Sequence, residues 1–303
     1  MKSCSYIYCS EKVDKIETIC PSCGTEQTGQ NAANKLCFQM DTEYLVDMHQ
    51  ILPKAPGIVE LQRSMMNQLS IRKALIQSVP NLVQSIANNE DLRALKADYP
   101  GQFYVSHFMD PRHPVARKKI RGYAKNGVKV IKLLPCLGYQ PDNSKYDKFW
   151  KTMEENHQIA MVHTGFITAR HKAEEKRNNT YLNSRYGHPV YFDMIARKFP
   201  KLQIILCHMG GAMWYEEAAQ MINQHNNVWG DCSGFGNFAL DRLLRNEVKV
   251  NWSKVFWGND SHPKQYFTNL NIFLSTLKKH GRNDLQRKLL QANGEEFINQ
   301  FIA

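Results

Sequence analysis

The sequence predicts an α/β chain: a (β/α)8 TIM barrel preceded by a small N-terminal Cys4 zinc ribbon. Two observations carry this. Four of the eight cysteines stand within the first 23 residues. From residue 42 onward, short continuous apolar runs alternate with longer amphipathic stretches, the pattern of βαβ units in a parallel sheet. Eight such units over about 260 residues match the size of a (β/α)8 barrel. The division expected is 1–40 for the ribbon and its connector and 41–303 for the barrel.

The ribbon rests on two cysteine pairs. Cys20 and Cys23 enclose a Cys-Pro-Ser-Cys-Gly turn, and Cys4 and Cys9 form a looser pair. A tight Cys-x-x-Cys turn lets two thiolates reach one ion, and two pairs supply the four soft ligands of a closed, structural Zn2+ site. Cys37 could replace one of them. The alternative is a cluster of thiols without metal. A closed site has no open position, so no chemistry is expected there.

The strand candidates are Tyr44–Val46, Ala74–Ser78, Phe103–Ser106, Val128–Leu133, Ile159–Val162, Gln203–Cys207, Asn227–Trp229 and Lys254–Trp257. Amphipathic segments between them include Asp147–Asn156, Val190–Lys198, Ala212–Asn223, Phe238–Asn246 and Gln265–Lys278. The strand endings share a chemistry. The first ends in Asp47 and His49, the third in His107, the fourth in Lys132, the fifth in His163, the sixth in His208, the seventh in Asp231 and the eighth in Asp260. In a barrel these ends converge on one face, where active sites are built. Each residue alone has a plainer reading, as a satisfied core histidine, a snorkelling lysine or loop punctuation. Together, imidazoles and carboxylates offered one per strand end suit a borderline divalent ion such as Zn2+, with room left for water.

Several segments carry a family likeness: DMHQILP, VIKLLP, MVHTG, HPVYFDMIARKFPKLQIILCHMGG, GNDSHP and QANGEEFI. From about residue 44 to 303 the chain resembles the amidohydrolase-related branch of the metal-dependent hydrolase superfamily. That branch includes aminocarboxymuconate semialdehyde decarboxylase-like and resorcylate decarboxylase-like enzymes as well as hydrolases. The resemblance implies metal ligation by His163 and Asp260, and an acid or base role for His208. Its first-strand motif is His-x-His, and here the chain departs. Either Asp47-x-His49 stands in for it, or His49 is the first histidine and Ile51 replaces the second. The first register is favoured because alternate strand positions face the same way. Lys132 falls where two-metal members carry a carbamylated lysine. With the first-strand set incomplete, one barrel metal is expected, and Lys132 becomes a structural or substrate-orienting cation.

These features together describe a metal-dependent hydrolase acting on a small anionic substrate at a C–N, ester or lactone bond. Asp47, His49, His163 and Asp260 hold the barrel metal, and His208 and Asp260 move protons. His107, Lys132 and Arg170 face the substrate; Arg170 lies in a basic loop, about 165–187, long enough for a lid. A decarboxylase of the same branch is the alternative. A third is an inactive barrel whose ribbon binds a partner or assists homo-oligomer assembly. The net charge of +11 permits nucleic acid as a partner, but no basic stripe interleaved with aromatics favours it. No apolar run approaches the roughly 18 residues of a spanning helix, and no secretion signal is visible, so a cytoplasmic protein with reduced thiols is expected.

Overall fold

The computed structural model describes residues 2–3, 12–13, 36, 38–80, 85–167, 181–234 and 236–303. Cys4, Cys9, Cys20, Cys23 and Cys37, with most of the 1–40 segment, lie outside the described residues, as does Arg170. Within that segment, Lys2–Ser3 and Lys12–Val13 pair as two short antiparallel strands.

Eight parallel strands come next: β1 Leu45–Gln50, β2 Ile71–Ile76, β3 Phe103–Phe108, β4 Val130–Leu133, β5 Ile159–His163, β6 Gln203–Cys207, β7 Val228–Asp231 and β8 Val255–Phe256. Each pairs with its neighbour in chain order. The sheet nearly closes on itself, because Met48 N donates to Trp257 O (3.1 Å) and Asp260 N to His49 O (2.7 Å) across its first and last strands. The helices α1 Ile58–Gln68, α2 Asn89–Asp98, α3 Ala116–Lys125, α4 Asp147–Glu155, α5 Asp193–Lys198, α6 Tyr215–Gln224, α7 Gly236–Arg245 and α8 Tyr266–Lys279 fill the crossovers. A short helix, α9 Asn293–Phe297, comes last.

Side-chain alternation sorts the core into two layers. Val46, Met48, Leu75, Val130, Ile159, Met161, Ile205, Cys207 and Phe256 fill the interior, and Phe297 and Ile298 complete this cluster from the C-terminal segment. Gly294 makes that close fit possible: a Cβ there would lie 2.9 Å from Val46 Cγ1. The other parity, such as Leu45, Phe103, Val105, Ile131, Ala160, Val162, Ile204 and Leu206, packs outward in the layer shared with the helices. This alternation places Lys132, His163 and Cys207 inward, each at the end of an inward row. It places His107 outward, in the row of Phe103 and Val105.

β1 breaks the alternation. Its register runs from Asp47 to Gln50 while β2 advances only from Ala74 to Ile76, so β1 carries one extra residue. A bulge of this kind re-aims a side chain. Asp47 stays on the helix side. His49, two residues on, turns into the barrel mouth.

Candidate metal centre at the barrel mouth

Asp47 shows what the outer side of the bulge does. Its Oδ1 accepts from His49 N (3.0 Å) and Asn259 N (3.1 Å), and its Oδ2 accepts from Tyr266 Oη (2.5 Å). The network then closes on itself. Gln62 Nε2 donates to Tyr266 Oη, Gln50 Nε2 to Gln62 Oε1, and Asn259 Nδ2 to Gln50 Oε1. Complete burial raises the Asp47 carboxyl to about 6 against the lowering effect of these donors. Asp47, expected as a first-strand metal ligand, has its two oxygens engaged by these donors. Asp47 ties β1 to α1, α8 and the loop after β8, and the bulge separates it from the inward-facing His49.

The inner side is a cluster of imidazoles and carboxylates. His49 Nδ1 lies 2.9 Å from Asp231 Oδ2 and 2.8 Å from Ser233 Oγ. His208 Nδ1 lies 3.0 Å from the carbonyl oxygen of Ser233, which can only accept. His208 Nδ1 therefore carries a proton. Burial holds the His208 imidazole down to about 4, so it is neutral at physiological pH and its Nε2 presents a lone pair. That Nε2 lies 3.9 Å from Asp260 Oδ2, and His49 Nε2 lies 3.5 Å from Asp260 Oδ1. The rings of His208 and His49, and of His208 and His163, have centroids 5.0 Å apart.

Asp231 organises this cluster. One oxygen faces His49, while the other accepts from the backbone N–H groups of His208 (3.1 Å) and Ser233 (3.0 Å) and from the Ser233 hydroxyl. Burial would raise its carboxyl, but the His49 imidazolium and these donors hold it well below the usual range. Burial in turn would lower His49, and the Asp231 charge instead raises it in the metal-free chain. Local geometry supports the same convergence. His208, Met209 and Asp260 all adopt left-handed backbone with φ of 63°, 45° and 43°. Such conformations are costly for these residues and gather at functional sites. Gly258 lets the last strand end pass close to His49: a Cβ there would lie 2.6 Å from His49 Cβ.

Lys132 points inward and is buried, and its Nζ lies 3.0 Å from Cys207 Sγ. Its charge acts to lower both His49 and His208, so it adjoins the cluster electrostatically. His107, expected to face the substrate, is placed differently. It lies on the helix side, edge-on to Tyr123 of α3 with ring centroids 4.8 Å apart, away from the mouth. Burial, then Arg93 and Lys96, hold its imidazole down to about 4. Three residues of the cluster have no role in the site that the sequence predicts: Asp231, which it only places at a strand end, Ser233 and Gln77. Gln77, at the end of β2, donates through Nε2 to Asp260 Oδ1 (2.9 Å).

Among the described residues, the group of metal-binding side chains that stands out is His49, His208 and Asp231, whose candidate ligand atoms lie within 4.8 Å of one another. A divalent ion fits this centre. His49 Nε2 is buried with no hydrogen bond, and both soft and hard donors converge beside it. A profile described as amidohydrolase matches residues 66–297. The chain belongs to the amidohydrolase family. The matched span begins after β1, so His49 and its bulge lie outside it. No curated protein matches the chain.

Several solved structures resemble it in fold. An uncharacterized TIM-barrel protein from Bordetella bronchiseptica superposes with a TM-score of 0.63 at 14% identity, covering 85% of this chain and 99% of that one. A probable 2-pyrone-4,6-dicarboxylic acid hydrolase from Acinetobacter baumannii, with citric acid bound, gives 0.58 at 12%, covering 84% and 99%. A dihydroxybenzoic acid decarboxylase from Polaromonas, with manganese and 2-nitroresorcinol, gives 0.58 at 14%, covering 86% and 98%. At these identities the likeness is one of fold. No helix among the described residues is long and apolar enough to cross a membrane.

Proposed function

We propose that this chain is a metal-dependent hydrolase that cleaves a C–N, ester or lactone bond in a small anionic substrate. The observation that carries this is the buried, unbonded His49 Nε2. It meets the His208 Nε2 lone pair around one carboxylate, Asp260, at 3.5 and 3.9 Å. Donor atoms that share a tetrahedral zinc-sized ion at about 2.0–2.2 Å each stand roughly 3.2–3.6 Å apart; the 3.5 Å from His49 to Asp260 Oδ1 falls in that range, and the 3.9 Å from His208 to Asp260 Oδ2 lies just beyond it. His49, His208 and Asp260 are thus the candidate ligands, with His163 adjacent. Asp231 acts behind them, as the carboxylate that holds a ligating histidine by its other nitrogen.

A divalent ion here supplies Lewis acidity and acidifies water. The protein's residues do the rest. Asp231 and Ser233 fix the His49 ring, and the Ser233 carbonyl fixes that of His208. The Asp260 carboxylate, which keeps a second oxygen when one is on the ion, is the group able to accept and return a proton. Lys132, a buried ammonium whose described hydrogen-bond partner is a sulfur, is the cation for the substrate's anionic group. Arg170 is a second cation for that group in this reading. The same set serves decarboxylation, the second reading, which the manganese-containing decarboxylase named above favours on equal fold likeness. The reading also includes a structural Zn2+ on Cys4, Cys9, Cys20 and Cys23.

The test is metal content per chain by elemental analysis of the full protein and of His49→Ala. The expected result is about two metals in the wild type and about one in the variant. A single metal in both would remove the barrel centre and leave the inactive-barrel reading. Carbon dioxide release, set against 18O incorporation from solvent water across a panel of lactones, esters and aryl acids, then separates lyase from hydrolase.

A further inference from the structure

Glutamine has no acid, base or strong-ligand chemistry of its own, yet β2 delivers Gln77 into the charged centre. Its side chain is 4% exposed. Its backbone N–H donates to Gln50 O (2.8 Å), just past the bulge that turns His49 inward. Its Nε2 donates to Asp260 Oδ1 (2.9 Å), the same oxygen that lies 3.5 Å from His49 Nε2. The amide nitrogen faces this carboxylate oxygen, so the amide carbonyl points the other way. The carbonyl oxygen Oε1 is then left buried, with no hydrogen-bond partner among the described residues. A buried amide oxygen left unmatched is costly, and is tolerated where something that binds will match it.

We infer that Gln77 is a positioning and specificity residue of the barrel centre. Its amide nitrogen sets the Asp260 carboxylate between the two imidazoles. Its carbonyl oxygen accepts a hydrogen bond from a hydroxyl or N–H of the bound substrate. The inference rests on the metal-centre reading above and adds to it a residue type that carries no ligand signature. Asp260 is held at the backbone by its own N–H to His49 O, with φ of 43°. The carboxylate orientation is what Gln77 adds.

The probe for the first half is Mn2+ alone, titrated into the full chain and followed by electron paramagnetic resonance. Thiolate sites compete poorly for this hard ion, so the cysteine segment does not mask the result. Gln77→Met keeps the side-chain length and removes the hydrogen bond. It should weaken Mn2+ affinity about 10–100-fold, the usual effect of losing a partner behind a ligand. The melting temperature of the metal-free protein should not fall. Affinity within about threefold of wild type would overturn the assignment. If Gln77→Met does not fold, Gln77→Asn keeps the amide one methylene short, and the same loss is expected. Wild type that takes up no Mn2+ would instead sink the metal-centre reading, and this inference with it.

The second half is read with malonate and hydroxymalonate on the Mn2+-loaded protein. The ratio of their affinities should shift toward malonate in Gln77→Met, because a site built to pair a hydroxyl discriminates against its absence. An unchanged ratio would remove the acceptor role.

Discussion

Asp47 and Asp231 are both fully buried carboxylates on the barrel strands, and their surroundings drive them in opposite directions. Asp47 meets neutral donors on the helix side, a tyrosine hydroxyl and two backbone amides, and is held up at about 6. Asp231 meets an imidazolium at the mouth and is held low. Neutral donors do not fully compensate a buried charge, and an opposite charge does. The difference separates scaffold from centre. The Asp47 ring of hydrogen bonds holds the bulge in β1, and the Asp231 cluster uses the histidine that the bulge delivers.

Substitutions can break this comparison. The largest effect belongs to Asp47→Ala, which strands the Tyr266 hydroxyl and two buried N–H groups. A stability loss of about 3 kcal/mol is expected in chemical denaturation. Tyr266→Phe should cost only about 1 kcal/mol. Metal affinity should stay within about threefold of wild type in Tyr266→Phe, which removes neither a ligand nor its partner and leaves both backbone amides on Asp47. A tenfold loss of affinity in Tyr266→Phe would show that scaffold and centre are one unit.

Asp231→Asn is the converse. The amide cannot hold His49 Nδ1–H as a carboxylate does, and metal affinity should fall about 10–100-fold. Isothermal titration in buffers of different ionisation enthalpy adds a further check. Wild type should release about one proton from His49 as metal binds at neutral pH, because the ion needs the bare Nε2. Proton release that persists undiminished in Asp231→Asn would contradict the pairing.

A further effect is in pH. The folded Asp47 carboxyl sits at about 6 against an ordinary value of 3.8. Between those values the folded chain binds more protons than the unfolded one, so Asp47 lowers stability as pH rises through this window. Asp47→Asn should therefore gain on wild type, by about 2 kcal/mol, as pH rises from about 4 to about 7. Asp231 runs the other way: its contribution is present above the ordinary carboxylate range and is lost on acidification. Denaturation curves across this range check the sign.

Much of the barrel is legible as pattern. β6 spans the expected Gln203–Cys207, and the fourth and fifth strands end within a residue of expectation, because their runs are dominated by apolar and β-branched residues. The sequence predicts β1 over Tyr44–Val46, and the strand runs Leu45–Gln50. Its polar second half looks like a loop until its distant partners are known. α1, α2 and α3 have no counterpart among the expected helices. For α2 a signal exists, since Asn88 and Asp91 form a capping box. In α3, the buried residues are only Ala116 and Ile120, too sparse a stripe to stand out. Of the expected site residues, His49, His163, His208, Lys132 and Asp260 are inward or at the mouth, while Asp47 and His107 face the helices.

By itself the sequence determined the alternation of strands and helices, the count of eight, and the placing of titratable side chains at strand ends. Those features arise from local periodicity and composition, which a single chain displays directly. Tertiary structure alone decided which way each of those side chains faces. Whether His49 points in or out depends on one extra residue in its pairing with β2. Its state depends on Asp231, 182 residues away in the chain. A strand's side chains alternate every residue, so a single-residue bulge reverses the outcome, and only the neighbouring strand can impose it.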